Sequence, residues 1–203
     1  MGNYRLRLLD FGSLSVVSRD FERFMPHWFR PTDGEYVADI GSNFGKYTLL
    51  AAEAVGETGR VLSVEPYPAT FLMLRENLRL SGVKNVLAVN VAAWSRATDL
   101  TLFLGDYSDL HSAKMKSRKS ITVKAKTVDG LIERFGRVDW LKIDVEGAEV
   151  EVLEGAERTI RNYRPRIIIE VFPYNRGRIK NLAKRHDYGI VEIGEDYWLM
   201  HSL

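Results

Sequence analysis

Between Leu141 and Glu149 the chain reads Leu-Lys-Ile-Asp-Val-Glu-Gly-Ala-Glu, an apolar strand running into a turn that holds Asp144, Glu146 and Glu149. Carboxylates crowded at a strand end are costly unless a cation, a proton or a hydroxyl engages them. A second junction of this kind lies upstream, Val37-Ala38-Asp39-Ile40-Gly41-Ser42-Asn43-Phe44-Gly45. Gly41, two residues after Asp39, permits a tight turn and close backbone approach, and the helix beginning near Gly45 offers free N–H groups. A third glycine, needed to cradle a pyrophosphate, is missing. Ser42 and Asn43 stand there instead, with side chains suited to a carboxylate or an amine. Glu65 and Pro66 end the next β-like run, at the separation where an acid holds both ribose hydroxyls. Asn90 ends a third run within reach of an adenine edge, and Ala92 is small enough to let a ring lie flat. The four features together predict a nucleoside cofactor. For Glu65 the plainer alternative is a charge at a helix N-terminus.

These side chains need elements to aim them. After about residue 35, short β-rich runs alternate with helical periods, which predicts an α/β sheet. Strands are expected at Tyr36–Ile40, Arg60–Glu65, Val86–Ala92, Val138–Ile143 and Arg166–Phe172, the last an unbroken apolar run suited to a centre covered on both faces. Helices are expected over Gly45–Val55, from Pro68 to Gly82, over Glu149–Asn162 and over Arg178–His186. Leu100–Leu104 and Ile121–Lys126 read as β additions. Two closing strands, Tyr188–Ile193 and Tyr197–His201, predict a mixed sheet with an antiparallel edge. Residues 1–35, with Phe11, Phe21, Phe24, Trp28 and Phe29, read as an extension that packs on or caps a domain spanning 36–203. Residues 105–120, with His111, Lys114, Lys116, Arg118 and Lys119, read as a solvated loop or as an acceptor-binding one.

The chain has 203 residues, 45% of them hydrophobic, enough for one domain with a sizeable core. A formal net charge of +2 does not call for nucleic acid. No cysteine is present, which excludes disulfides and thiolate metal sites and fits a reducing cytoplasm. No apolar run approaches the roughly 20 residues that span a bilayer, and no charged-then-apolar leader opens the sequence. A cytoplasmic protein without a membrane partner is expected.

Taken in order, several segments resemble the FkbM-type S-adenosylmethionine-dependent methyltransferases. They are Asp39-Ile40-Gly41-Ser42-Asn43-Phe44-Gly45-Lys46-Tyr47-Thr48, Glu65-Pro66, Asn77-Leu78, Asn90-Val91-Ala92, Leu141–Glu149 and Ile168-Ile169-Glu170. The likeness covers about residues 30–172, and Lys-Ile-Asp-Val-Glu-Gly-Ala-Glu is its most specific piece. It implies a Rossmann-like, seven-stranded class I sheet with an antiparallel C-terminal strand. It also implies S-adenosylmethionine as donor, held by Asp39, Gly41, Ser42, Asn43, Gly45, Tyr47, Glu65, Pro66, Asn90 and Ala92. A hydroxyl on a small molecule, sugar or glycan is the implied acceptor. The family turn usually reads Gly-Ala-Asn, and Ser42 here replaces the alanine. Residues 105–120 have no assignable counterpart.

Methyl transfer to oxygen needs alignment, a base and a dry site. In such a sheet the first, fourth and fifth strands are neighbours, which brings Asp144 and Glu170 together. Two adjacent acids split their pKa values, leaving one raised. Strand alternation places Lys142 on the face of Asp144, so a salt bridge is expected. Glu146 is a further catalytic candidate, whereas helix-dipole stabilisation explains Glu146 and Glu149 equally well. Asp144, Glu146 and Glu149 could hold a divalent ion, but no confirming spacing is present and no metal is expected. Two other functions remain open. One is ribose 2'-O-methylation of RNA by Lys142, Asp144 and Glu170, and the other is S-adenosylmethionine binding without catalysis.

Overall fold

The structure, a computed structural model, describes residues 22–105, 111–114, 117–194 and 196–203. In chain order, α1 (Met25–Trp28) precedes β1 (Tyr36–Ile40), α2 (Lys46–Ala54), β2 (Arg60–Val64), α3 (Pro68–Ser81) and β3 (Val86–Val89). Three short strands follow: β4 (Ala92–Ala93), β5 (Thr98–Phe103) and β6 (Ser120–Lys126). Next come α4 (Val128–Phe135), β7 (Trp140–Ile143), α5 (Glu149–Glu154), α6 (Glu157–Tyr163) and β8 (Arg166–Glu170). A 3-10 turn (Pro173–Asn175), α7 (Arg176–Arg185), β9 (Tyr188–Glu192) and β10 (Tyr197–Ser202) complete the order.

The main sheet has seven strands in the order β3-β2-β1-β7-β8-β10-β9. Strands β3, β2, β1, β7 and β8 run parallel, and β10 is antiparallel to both of its neighbours. The expected closing hairpin is present, but β10 is inserted beside β8 and leaves β9 as the outer strand. The chain crosses from one half of the sheet to the other between β1 and β7, and ligands in such sheets lie beyond that point. Side-chain alternation then assigns the faces. Ile40, Val64, Ile143 and Ile169 join the core under α4 to α7, whereas Val37, Val61, Trp140 and Ile168 face α1 and α2. Asp39, Ser63 and Lys142 fall on the second face in adjacent register positions. Polar groups therefore replace apolar core at the carboxyl end of that face.

Four local expectations change. The run Val86–Ala92 divides at Asn90, whose amide donates to the carbonyls of Glu65 (2.8 Å) and Pro66 (3.0 Å). Ala92 and Ala93 pair with β6 in a separate three-stranded sheet, β4-β6-β5. The helix expected over Glu149–Asn162 is two helices, parted near Gly155. A Cβ at that glycine would lie 2.2 Å from the Trp94 carbonyl oxygen. The Asp129 carboxylate, accepting from the N–H groups of Arg158 and Thr159, caps the second helix from outside. Helix α4 was not anticipated, although Val128, Leu131, Ile132 and Phe135 carry the helical spacing and Thr127 accepts from the Gly130 N–H. Finally, β8 stops at Glu170 rather than at Phe172.

The described part of the N-terminal extension packs onto the domain. Met25 and Phe29 are buried, and the Phe29 ring meets Trp140 edge-on with centroids 5.5 Å apart. Phe24 lies 5.3 Å from the Tyr197 ring. Trp28 is partly exposed. Phe11, Phe21 and Lys116 lie outside the described residues.

Candidate active site

The glycine turn and the acid-tipped strand meet directly. Gly41 has φ +79, and a Cβ there would lie 1.7 Å from the Asp144 carbonyl oxygen, so any side chain would push β1 and β7 apart. Behind the turn, the buried Asn77 of α3 donates its amide to the Phe44 carbonyl at 2.8 Å. In front of it, the Asn43 N–H donates to Glu65 Oε2 at 3.0 Å and the Tyr67 N–H donates to Oε1 at 2.9 Å. Each carboxylate oxygen can accept about two hydrogen bonds, so each keeps room for one more donor, as a vicinal diol requires. Burial pushes the Glu65 carboxyl up to about 7, against the two N–H donors, which favour its ionised form.

A cavity of about 840 Å³ opens over these groups, bounded by the turn, Glu65, Pro66, Ala92 and the β7 and β8 ends. Ser42 Oγ and Asn43 Oδ1 belong to its wall and are buried without a hydrogen-bond partner. Two orphaned polar atoms beside a diol acceptor fit the amino-acid tail and the ribose of S-adenosylmethionine. Trp94, Leu100 and Leu102 supply an apolar wall where a base would lie. His111 lines the same wall, its ring edge-on to Tyr67 at 4.3 Å and its Nδ1 accepting from the Gly105 N–H. It is half-buried, not the surface residue that a loop histidine usually is.

Beyond the turn lies a charge network. Lys142 is buried between Asp144 (3.1 Å) and Asp39 (3.6 Å), with its Nζ 4.9 Å from the Tyr47 ring centroid. Burial alone would lower its pKa, but Asp144, Asp39 and Glu22 overcome that and hold the ammonium above its ordinary value. Asp39 accepts from Thr48 Oγ1 at 2.6 Å, and Thr48 contacts Ser63 at 2.9 Å. Burial raises the Asp39 carboxyl, partly offset by Lys142 and Thr48. Glu170 is raised well above the carboxylate range, first by burial and then by Asp144 and Glu146. Burial beside Asp144 and Glu146 thus favours the protonated form of Glu170. The Tyr197 hydroxyl reaches Asp144 Oδ2 at 3.0 Å and Glu22 Oε1 at 2.5 Å, while Tyr47 donates to Glu22 Oε2.

The Methyltransferase FkbM domain family matches residues 39–193, most of the chain. The chain belongs to the FkbM methyltransferase family. "Methyltransferase 1" of Beauveria bassiana is 26% identical over 165 residues, covering 68% of this chain and 65% of that protein. "Hexuronic acid methyltransferase AglP" of Haloferax volcanii is 28% identical over 136 residues, 66% of this chain and 54% of its own length. The chain therefore spans between about half and two thirds of these relatives. In structure it is similar to an FkbM methyltransferase of Methylobacillus flagellatus, with a TM-score of 0.64 at 19% identity over 86% of this chain and 45% of that one. The fibrillarin of Aeropyrum pernix, solved with bound S-adenosyl-L-methionine, gives 0.54 at 14% identity over 85% of this chain and 67% of that one. The fold is that of the class I methyltransferases.

Within this FkbM domain, Gly41, Ser42, Asn43, Tyr47, Glu65, Pro66, Ala92, Lys142, Asp144, Glu146 and Glu170 line one cavity. Asp39, Gly45 and Asn90 stand behind it. Asp39 anchors Lys142 from below, and Gly45, at φ +97, opens α2. Asn90 spends its amide on backbone carbonyls, so it shapes the strand end that carries Glu65 and does not face the cavity. Glu149 is buried, accepting from the Gly147 N–H (2.6 Å) and the Asn175 amide (2.5 Å), which is a structural role. Its place in the acid cluster is taken by Glu170: Asp144, Glu146 and Glu170 offer oxygens within 4.8 Å of one another, close enough to share a hard cation. Sequence reasoning missed Glu22, Trp94 and Tyr197 on the cavity wall. Asp144 follows the end of β7 whereas Tyr197 opens the antiparallel β10, so no local signal joins them.

Proposed function

We propose that this domain transfers a methyl group from S-adenosylmethionine to a hydroxyl of a small molecule, sugar or glycan. One observation carries the reading: Asp144 lies in the same cavity as the diol acceptor Glu65 and the orphaned atoms of Ser42 and Asn43. When bound, the donor supplies an electrophilic methyl group. The chain's own residues align the acceptor, exclude water and take its proton. Asp144, set by Lys142 and Tyr197, is the base. Glu170, raised by burial, stays protonated beside it and spreads its charge.

Support for a sugar or glycan comes from the Haloferax volcanii relative, named for a hexuronic acid. Against RNA, the acceptor side of the cavity carries Glu22, Asp144, Glu146 and Asp196, besides the protonated Glu170, against Arg23, Lys46 and Lys142. Carboxylates outnumber cations there, and a phosphate backbone would be repelled. No described helix is long and apolar enough to cross a membrane, and the absence of cysteine suits a cytoplasmic setting.

The test combines calorimetry of donor binding with labelled-methyl screening of sugars, small hydroxylated compounds and RNA. Donor binding with methyl release to a sugar or small alcohol is expected, and Asp144→Asn should lower turnover by at least about a hundredfold. Undiminished turnover in Asp144→Asn removes the base. RNA methylation with steep salt dependence would instead establish the ribose reading.

A further inference from the structure

Tyr197 has one hydroxyl proton and two carboxylate neighbours. Its oxygen lies 2.5 Å from Glu22 Oε1 and 3.0 Å from Asp144 Oδ2. One proton closes one of these gaps, and the other gap closes only when a second proton sits on a carboxyl. Other donors also reach these acids. Glu22 Oε2 accepts from Tyr47 and lies 3.8 Å from Lys46 Nζ, and Asp144 Oδ2 accepts from Lys142 Nζ at 3.1 Å. Tyr197 itself is buried, backed by the Phe24 ring and paired across the sheet with Glu170. The row Asp144–Tyr197–Glu22 is thus one hydrogen short when both acids are ionised.

We propose that Tyr197 and Glu22 form a proton relay behind Asp144, so that the proton lost by the acceptor hydroxyl fills the gap in this row and leaves through Glu22. The inference rests on Asp144 being the base. The acceptor O–H bond breaks as its oxygen takes the methyl group, and an O–H bond forms on Asp144. Asp144 then passes that proton to the Tyr197 oxygen while the tyrosine's own proton moves to Glu22. Glu22 lines the cavity and delivers it to water, which returns the row to its starting state. Tyr197 also fixes the rotamer of Asp144, so it is a positioning residue as well as a conduit.

Glu22→Gln tests this while keeping both tyrosine contacts, at the loss of the charge that faces Lys46. The new amide N–H donates to Tyr197, its carbonyl still accepts from Tyr47, and the Tyr197 proton turns to Asp144. The row is then full. The protein alone, without donor or acceptor, should melt near the parent's temperature, and donor affinity should be unchanged. Turnover should fall at least about tenfold with acceptor KM unchanged, because the proton taken by Asp144 then has no onward path through Tyr197. Tyr197→Phe should lower kcat comparably. If either variant keeps parental kcat the relay is overturned. An active Asp144→Asn would defeat the base assignment itself. An inactive Asp144→Asn beside a fully active Tyr197→Phe would defeat only the relay.

Discussion

Glu65 owes its raised pKa to burial, and that gives donor binding a pH dependence. A diol donates two hydroxyl protons, so the ionised carboxylate is the binding form. Donor affinity should therefore weaken by up to about tenfold per pH unit below about 7 and level off above it, as calorimetry across pH would show. A flat profile would contradict the diol assignment. Glu65→Ala should weaken binding at least about tenfold, or ~1.4 kcal/mol. Glu170 has the opposite use for its proton. Its ordinary value is 4.5, and burial with Asp144 and Glu146 lifts the folded value far above it. In the interval between them the unfolded chain is ionised while the folded chain keeps the proton, so Glu170 makes stability fall as pH rises. Glu170→Gln keeps the shape without the titration, and its melting temperature should drop less than the parent's between about pH 5 and about pH 8. An equal drop would place the titration elsewhere.

At the scale of elements, the glycine turn depends on a helix that does not line the cavity. Asn77 lies on α3, fully buried, and holds the Phe44 carbonyl of the glycine turn. Asn77→Leu preserves bulk but strands that carbonyl, at a cost of about 1–3 kcal/mol in denaturant unfolding. A loosened turn should also weaken donor binding, and a variant with parental stability and affinity would show the tie to be dispensable. Asn77 was visible in the sequence as part of a recurring pair, but its task was not, because Phe44 lies on another element. The strands and most helices were legible from period and turn residues. The breaks at Asn90 and Gly155 were not, since each is imposed by a distant backbone carbonyl that bonds the side chain or fills its space.

Across the whole molecule, one cavity at the sheet's crossover point gathers groups from both halves of the chain. Ligand bound there should couple to global unfolding. At about a hundred times its Kd, the donor should add ~2.7 kcal/mol, which for a domain of this size raises the melting temperature by roughly 5–10 °C. NAD should give no comparable shift, because the turn lacks the glycine that a pyrophosphate needs. A larger shift with NAD than with S-adenosylmethionine would overturn the assignment of the cradle.

Residue order alone determined the glycine bend, the acid at Glu65, and the pairing of Lys142 with Asp144. Each depends on turn chemistry or on two-residue alternation within a few positions. Tertiary structure decided which wall those groups share and what stands behind them. Tyr197 meets Asp144 from 53 residues away and Glu22 from 175. Contacts over such distances leave no periodicity to read. They exist because β10 inserts beside β8 and residues 22–29 fold back against the strand ends.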